Sequence, residues 1–353
     1  MLNVEVEEQS TGEFSISAGF SSAQSIVGAV SLTEKNLLGR GQFLRLQVSI
    51  SRLQQQVDVR FTEPYFLDRN MSAGVDLYQT YQNYQQSNYS DSTTGFGLRL
   101  GFPLSEFGRL GLRYTLRQDN ITVGALTPPS IRAAAGQTLL SLAGWTYSYD
   151  EKDDPIEPKN GYDFTFSQDI AGLGGDKQYI RTETSANLYQ RLWSDELILN
   201  LAGSAGYFYA LDSANNTNAN DRFFKGGGTF RGFKTSGIGP RDVAFPNTNN
   251  AVGGEAYAIG TVELRFPNFL PPELGIKTSL FTDFGTVGLV TNKGVCIVLV
   301  SCVQDDLALR ASAGLSVYWN SPFGPVRLDF SQVLKKEKYD QTEAFRFSAG
   351  TKF

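Results

Sequence analysis

The sequence predicts an all-β fold: a transmembrane antiparallel β-barrel of about 16 strands with one long loop folded into its lumen. Three observations carry that expectation. Apolar and polar residues alternate along many segments, which places one kind on each sheet face. Several of these segments reach about 9 to 13 residues, beyond the roughly five or six of a soluble strand. The polar face repeats arginine, and aromatics gather near strand ends as interfacial girdles do.

The composition agrees. In 353 residues, hydrophobics make up 41%, charged residues 19% and aromatics 12%, with 16 Tyr, 25 Phe and 36 Gly. That mix suits strands joined by glycine-rich turns rather than helices. No apolar run approaches the roughly 18 to 20 residues of a membrane-spanning helix, and the start has no basic and apolar signal-peptide regions. The chain has no histidine, which excludes a Ser-His-Asp triad, a histidine-ligated zinc site and a histidine-held haem. No metal site or cofactor is expected. A formal charge of -5 argues against nucleic acid as a partner.

The elements follow from period and turn chemistry. Leu44, Leu46, Val48 and Ile50 oppose Arg45, Gln47, Ser49 and Ser51. Leu110, Leu112, Tyr114 and Leu116 oppose Arg109, Gly111, Arg113 and Thr115, and Phe345, Phe347, Ala349, Thr351 and Phe353 oppose Arg346, Ser348, Gly350 and Lys352. Read this way, strands fall at 13–20, 26–36, 42–52, 55–66, 71–84, 92–104, 109–121 and 138–151. They continue at 161–172, 177–192, 196–210, 254–266, 275–286, 306–320, 325–333 and 344–353. Turns alternate between short and long, the long ones near 122–137, 211–253 and 287–305. Short periplasmic turns and long extracellular loops have this asymmetry. Cys296 and Cys302, with five residues between them, fall in the last of these loops. A disulfide closing a small loop in an oxidising compartment is the leading reading, and two unpaired thiols are the other.

The connection 211–253 is too long to be idle in a compact domain. Residues 212–220 are rich in Asn and Ala and read as a mobile tip. After them comes Phe223-Phe224-Lys225-Gly226-Gly227-Gly228-Thr229-Phe230-Arg231-Gly232-Phe233, whose aromatics pack only if the segment folds back. Arg231 is costly to bury without an anion, and the parity of two later strands turns Glu263 and Asp283 to the polar face. From the residues alone two readings stay open. Either the loop enters the barrel and Arg231 pairs with those acids, or it lies outside and the acids solvate a lumen wall.

Phe230-Arg231-Gly232-Phe233 resembles the RGF-type loop motif of the BamA family, the core of the outer-membrane β-barrel assembly machinery. Further likenesses follow in order along the chain. They are Asn36-Leu37-Leu38-Gly39-Arg40-Gly41, Glu63-Pro64-Tyr65-Phe66, Asp153-Asp154-Pro155 through Gly161, Asp283-Phe284-Gly285-Thr286-Val287 and Ser321-Pro322-Phe323-Gly324-Pro325. Two departures are Phe230, where an aliphatic residue is usual, and Phe353 at the end, where some relatives carry Trp.

The resemblance implies a sixteen-stranded barrel in the outer membrane of a Gram-negative bacterium, whose sixth extracellular loop anchors Arg231 on Glu263 and Asp283. It implies that residues 1–12 hold the remnant of a last periplasmic POTRA domain and its linker, with the barrel spanning 13–353. It implies as partners nascent outer-membrane β-barrel proteins, the lipid bilayer and, through POTRA domains, accessory lipoproteins. The expected function is folding and insertion of barrel proteins without covalent chemistry. The route is a weak lateral seam between the first and last strands, carried by Phe14, Ile16, Gly19, Phe347, Gly350 and Phe353. Related TamA-like or two-partner secretion pores are the alternative, and a passive porin is a third reading.

Overall fold

The strands close on themselves. A computed structural model describes residues 11–22, 25–194, 196–211, 219–243, 249–268, 270–291, 303–305, 307–321 and 324–350. Cys296, Cys302, Phe353 and residues 1–10 lie outside the described residues. Sixteen strands form one closed antiparallel barrel in which each pairs with its neighbours in sequence and the last returns to the first. In chain order they are β1 (Gly12–Ser21), β2 (Ser25–Leu37), β3 (Gln42–Ser51), β4 (Gln54–Glu63), β5 (Ser72–Tyr84) and β6 (Tyr89–Pro103). Next come β7 (Gly108–Val123), β8 (Gly136–Asp150), β9 (Gly161–Gly175), β10 (Tyr179–Arg191) and β11 (Ile198–Ala210). The last five are β12 (Ala256–Phe266), β13 (Ile276–Gly288), β14 (Arg310–Ser321), β15 (Gly324–Lys335) and β16 (Phe345–Gly350).

The alternation sorts the two faces as the period requires. Leu46, Val48, Ile50, Val57, Leu77, Leu98, Leu112, Leu201, Val262, Leu280, Phe284 and Phe330 are all exposed, forming an apolar outer band. An exposed apolar surface of this extent has lipid as its natural solvent. The inward row of the early strands carries paired charges: Arg60 to Asp76 at 3.3 Å, Arg99 to Asp76 at 2.5 Å and Arg113 to Asp169 at 2.5 Å. Arg60, Arg99 and Arg113 are therefore matched by aspartates on the same face.

Several boundaries differ from the sequence reading by a few residues, and two of them show their cause. β4 stops at Glu63 instead of running to 66, because Pro64 lacks the N–H a ladder needs and Phe66–Asp68 turn as a 3-10 helix. β14 begins at Arg310 rather than at 306. Its first residue is buried and bonded to Asp340, Nε to Oδ2 at 3.0 Å.

Turn chemistry accounts for two of the segments that carry the family likeness. At the β2–β3 turn, the Asn36 side chain accepts the Gly41 N–H at 2.6 Å and fixes a reversal in which Leu38 has φ 56°. At the β8–β9 turn, Asp154 Oδ1 accepts from Ile156 and Glu157, and Asp153 Oδ1 from Lys159. Those N–H groups hold both carboxyls below the ordinary aspartate range. The Glu157 carboxylate then reaches Lys277 at the head of β13.

At the long-loop end, Arg241–Asp242, Asn250–Ala251 and Val303–Gln304 make a small three-stranded sheet. Below it an apolar cluster gathers Tyr89, Ile121, Ile131, Val252, Val290 and Val303. The loop helix Pro129–Arg132, inside the connection expected near 122–137, supplies Ile131 to this cluster.

Candidate functional site

The connection between β11 and β12 holds the densest set of buried polar contacts described. Its segment 223–238 turns tightly. Gly227 and Phe230 form a β-bridge, Gly227 N–H donates to the Phe233 carbonyl at 2.8 Å, and Thr229 closes on Gly226 through both its backbone and its hydroxyl. The turn throws Phe230 and Phe233 to one side, where they stack edge to face at 5.2 Å and are fully buried. They join a core with Leu140 and Leu142 of β8, Phe208 of β11, Tyr257 and Ile259 of β12, and Val287 of β13. Phe223 adds an edge contact to Tyr257 at 4.7 Å.

Gly232 sits at φ 87°, and a Cβ there would lie 2.9 Å from the Ser312 Cβ, so both conformation and space demand glycine. Gly232→Ala is expected to cost about 1 to 3 kcal/mol locally. It should show as faster proteolytic cleavage within residues 219–243 of an otherwise folded barrel, and cleavage at the unaltered rate counts against this packing.

The turn also delivers Arg231 to two acids. Its backbone N–H and Nε both donate to Asp283 Oδ2, at 2.9 and 2.8 Å, and Nη2 donates to Asp283 Oδ1 at 2.7 Å. Nη1 donates to Glu263 Oε2 at 2.8 Å and to Ser316 Oγ at 3.3 Å. The guanidinium lies 3.5 Å from the centroid of the Phe281 ring. Each acid has further donors: Thr261 Oγ1 to Asp283 at 2.8 Å, and Ser279 Oγ and Tyr318 OH to Glu263 at 2.6 and 3.0 Å. Ser312 Oγ in turn donates to the Arg231 carbonyl at 2.6 Å, beside a register shift in β14 between Ala311 and Ser312.

Arg231 is 5% exposed and Asp283 2%. Burial by itself would lower the arginine's affinity for its proton, but the two carboxylates outweigh that and raise it above the usual value. A forked guanidinium on two carboxylates, with the remaining lone pairs filled by hydroxyls, is the arrangement in which a buried ion pair fixes a segment in one place.

Past Arg231 the segment is laced to the chain that leads into β16. The Glu343 N–H donates to the Gly232 carbonyl, the Lys234 N–H to the Gln341 carbonyl and the Gln341 N–H to the Gly237 carbonyl, each at 2.9 Å. Arg346, within β16, reaches Thr235 Oγ1 at 3.3 Å.

The second candidate region is the closure of the barrel. Among the described residues β1 pairs with β16 through Gly19↔Gly350, Phe20↔Ala349 and Ser21↔Ser348, three pairs, against ten between β1 and β2. One further bond runs from the Ser22 N–H to the Phe347 carbonyl at 3.0 Å, and the Phe20 and Phe347 rings sit 5.9 Å apart. Phe14 and Ile16 are 66% and 73% exposed and pair with Leu32 and Val30 of β2. Gly350 has φ 142°, and a Cβ on it would come 2.6 Å from the Gly19 Cα, so the two glycines allow the strands to meet where β16 bends.

Of the residues singled out in the sequence, the structure brings together Arg231, Glu263 and Asp283 with Phe230, Gly232 and Phe233 around them. It brings Gly19, Phe347 and Gly350 together at the closure, and it leaves Phe14 and Ile16 lower on β1. Several participants were not singled out: Phe281, Ser279, Ser312, Ser316 and Tyr318. Parity held a signal for Phe281, an aromatic in the same inward row as Asp283. The serines and the tyrosine have no such mark, since small polar residues fill inward rows everywhere in the chain. Asn220, assigned by composition to a mobile tip, instead donates to Asp91 Oδ2 at 2.5 Å.

Comparisons with known proteins converge. The family model of the Omp85 superfamily domain matches residues 36–353. An outer membrane protein assembly factor BamA from Neorickettsia risticii (strain Illinois) is 30% identical over 355 residues, covering 100% of this chain and 46% of the relative. BamA of Neisseria meningitidis serogroup B is 27% identical over 389 residues, covering 100% of this chain and 48% of its own length. The chain thus spans about half the length of the curated relatives it matches. The crystal structure of BamA from Haemophilus ducreyi lacking POTRA domains 1–3 superposes with a TM-score of 0.88 at 23% identity, over 98% of this chain and 71% of that one. At that identity the superposition speaks for the fold alone.

Proposed function

Because this chain belongs to the Omp85 superfamily and is a barrel of the bacterial outer membrane, we propose that it folds and inserts other β-barrel proteins there. Nascent outer-membrane barrels and the surrounding lipid are its partners in this reading. Accessory lipoproteins would be met through periplasmic POTRA domains.

The observation that carries the reading is the short closure. Among the described residues β1 has ten pairs to β2 and three to β16, and a strand edge paired so sparingly offers backbone N–H and C=O groups to an incoming strand. A net backbone hydrogen bond is worth about 1 kcal/mol, so parting the described pairs costs a few kcal/mol, less than parting the ten-pair ladder between β1 and β2. An incoming strand that pairs with β1 replaces what is lost, while its apolar side chains meet lipid beside the outer band. The barrier to insertion falls without any covalent step. The β11–β12 connection, held by Arg231 and laced to the approach to β16, would keep the rest of the wall in register while the closure parts.

The reading is tested with the full-length protein in proteoliposomes. A urea-denatured outer-membrane barrel should fold at least about tenfold faster than in protein-free liposomes, a barrier reduction of roughly 1.4 kcal/mol or more. Equal rates in the two would sink it.

A further inference from the structure

Asp221 is almost completely buried, at 1% exposure, in the 3-10 turn Ala219–Asp221 at the upstream end of the same connection, and the arrangement described so far makes no use of it. Its Oδ1 accepts from Arg117 Nη2 of β7 at 3.0 Å and from Tyr179 OH at 3.4 Å. Its Oδ2 accepts from Lys177 Nζ, in the β9–β10 loop, at 3.0 Å. Arg117 and Lys177 also face Asp119, at 3.1 and 3.7 Å, and Asp119 accepts from Thr93 at 3.0 Å. The neighbouring Asn220 bonds Asp91 on β6, which extends the attachment by one residue.

We propose that Asp221 is a second positioning residue of the connection, clamping its upstream end to Arg117 and Lys177 as Arg231 clamps its turn to Glu263 and Asp283. Two physical arguments support this. First, a buried ion cluster is a poor source of stability compared with apolar residues of the same volume, and its best-attested use is to fix register. Second, the two clamps have opposite polarity. Here the connection supplies the acid, and β7 and the β9–β10 loop supply the bases; at Arg231 the connection supplies the base and the wall the acids. A connection shifted round the wall would set like charges against each other, so only one placement satisfies both. The wall elements involved, β7 and β12, stand five strands apart round the barrel, so the two clamps hold the connection at separate points of the wall. Burial would raise the Asp221 carboxyl, but Lys177 and Arg117 outweigh it and keep it ionised.

The consequence for insertion rests on the proposed function, and the clamp itself is tested apart from it. Full-length protein folded in detergent micelles is digested briefly, and cleavage within residues 219–243 is timed by mass spectrometry. Asp221→Asn is expected to speed that cleavage about tenfold or more, since it removes the charge from a buried cluster and leaves two cations short of a partner. Asp221→Glu should restore it to within about twofold of the parent. Asp221→Asn combined with Lys177→Met should cleave no faster than Asp221→Asn alone, because the two act through one contact. Cleavage of Asp221→Asn at the parent rate, or additive effects in the double variant, would overturn the proposal. Should Asp221→Asn fail to fold, Lys177→Met alone, which leaves Arg117 on Asp221, must speed cleavage several-fold or the clamp is refuted. The same variants in proteoliposomes separate the two ideas: a loosened connection with unchanged insertion upholds the clamp and removes the connection from the insertion mechanism.

Discussion

Arg231→Ala is expected to release the β11–β12 connection from the barrel wall and to raise its proteolytic cleavage by about a hundredfold or more. The substitution deletes a guanidinium that is 5% exposed and leaves Asp283 and Glu263 with their own burial uncompensated. Breaking a buried pair from one side costs about 3 to 5 kcal/mol. Cleavage that follows the population of an open state rises by the corresponding factor of roughly 10² to 5 × 10³. Arg231→Lys should fall between, because one ammonium cannot reproduce donors from Nε, Nη1 and Nη2 to two separate carboxylates. Both variants are compared with the parent after heat-dependent gel mobility has established that the barrel is folded. If Arg231→Ala digests within twofold of the parent, the anchor contributes nothing and the mechanical role given to it fails.

The second large effect concerns the closure. Phe20 and Ala349 are register partners across β1 and β16. The double variant Phe20→Cys/Ala349→Cys, oxidised, should hold the two strands together by a bond that thermal parting cannot open. Insertion of a test barrel by the full-length protein should then fall at least tenfold, to the rate in protein-free liposomes, and return on reduction. The parent and each single variant should ignore the oxidant. An oxidised pair, verified by mass spectrometry, that still inserts barrels at the parent rate would show that β1 and β16 need not separate.

Much of this molecule was legible in advance, for a reason that particular strands make plain. Leu46, Val48 and Ile50 against Arg45, Gln47 and Ser49 is a message complete within one strand, and the barrel obeys it. The candidate acids were legible by the same rule, since Glu263 and Asp283 share the inward parity of their strands. What stayed unread had no local mark. Asp221 follows a run of Asn and Ala and looks like part of a solvated tip, yet its partners Arg117 and Lys177 lie 104 and 44 residues earlier in the chain. Ser312 and Ser316 resemble every other inward serine until the connection lies against them.

The sequence by itself determined that this is a sheet closed into a barrel, about how many strands it has, and which face meets lipid, because a period of two is a property of each strand alone. Only the tertiary structure decided where the β11–β12 connection rests, which acids Arg231 takes, and that β1 and β16 share three described pairs. Those depend on the stagger with which the ring closes, and that stagger is a sum over all sixteen strands that no one of them carries.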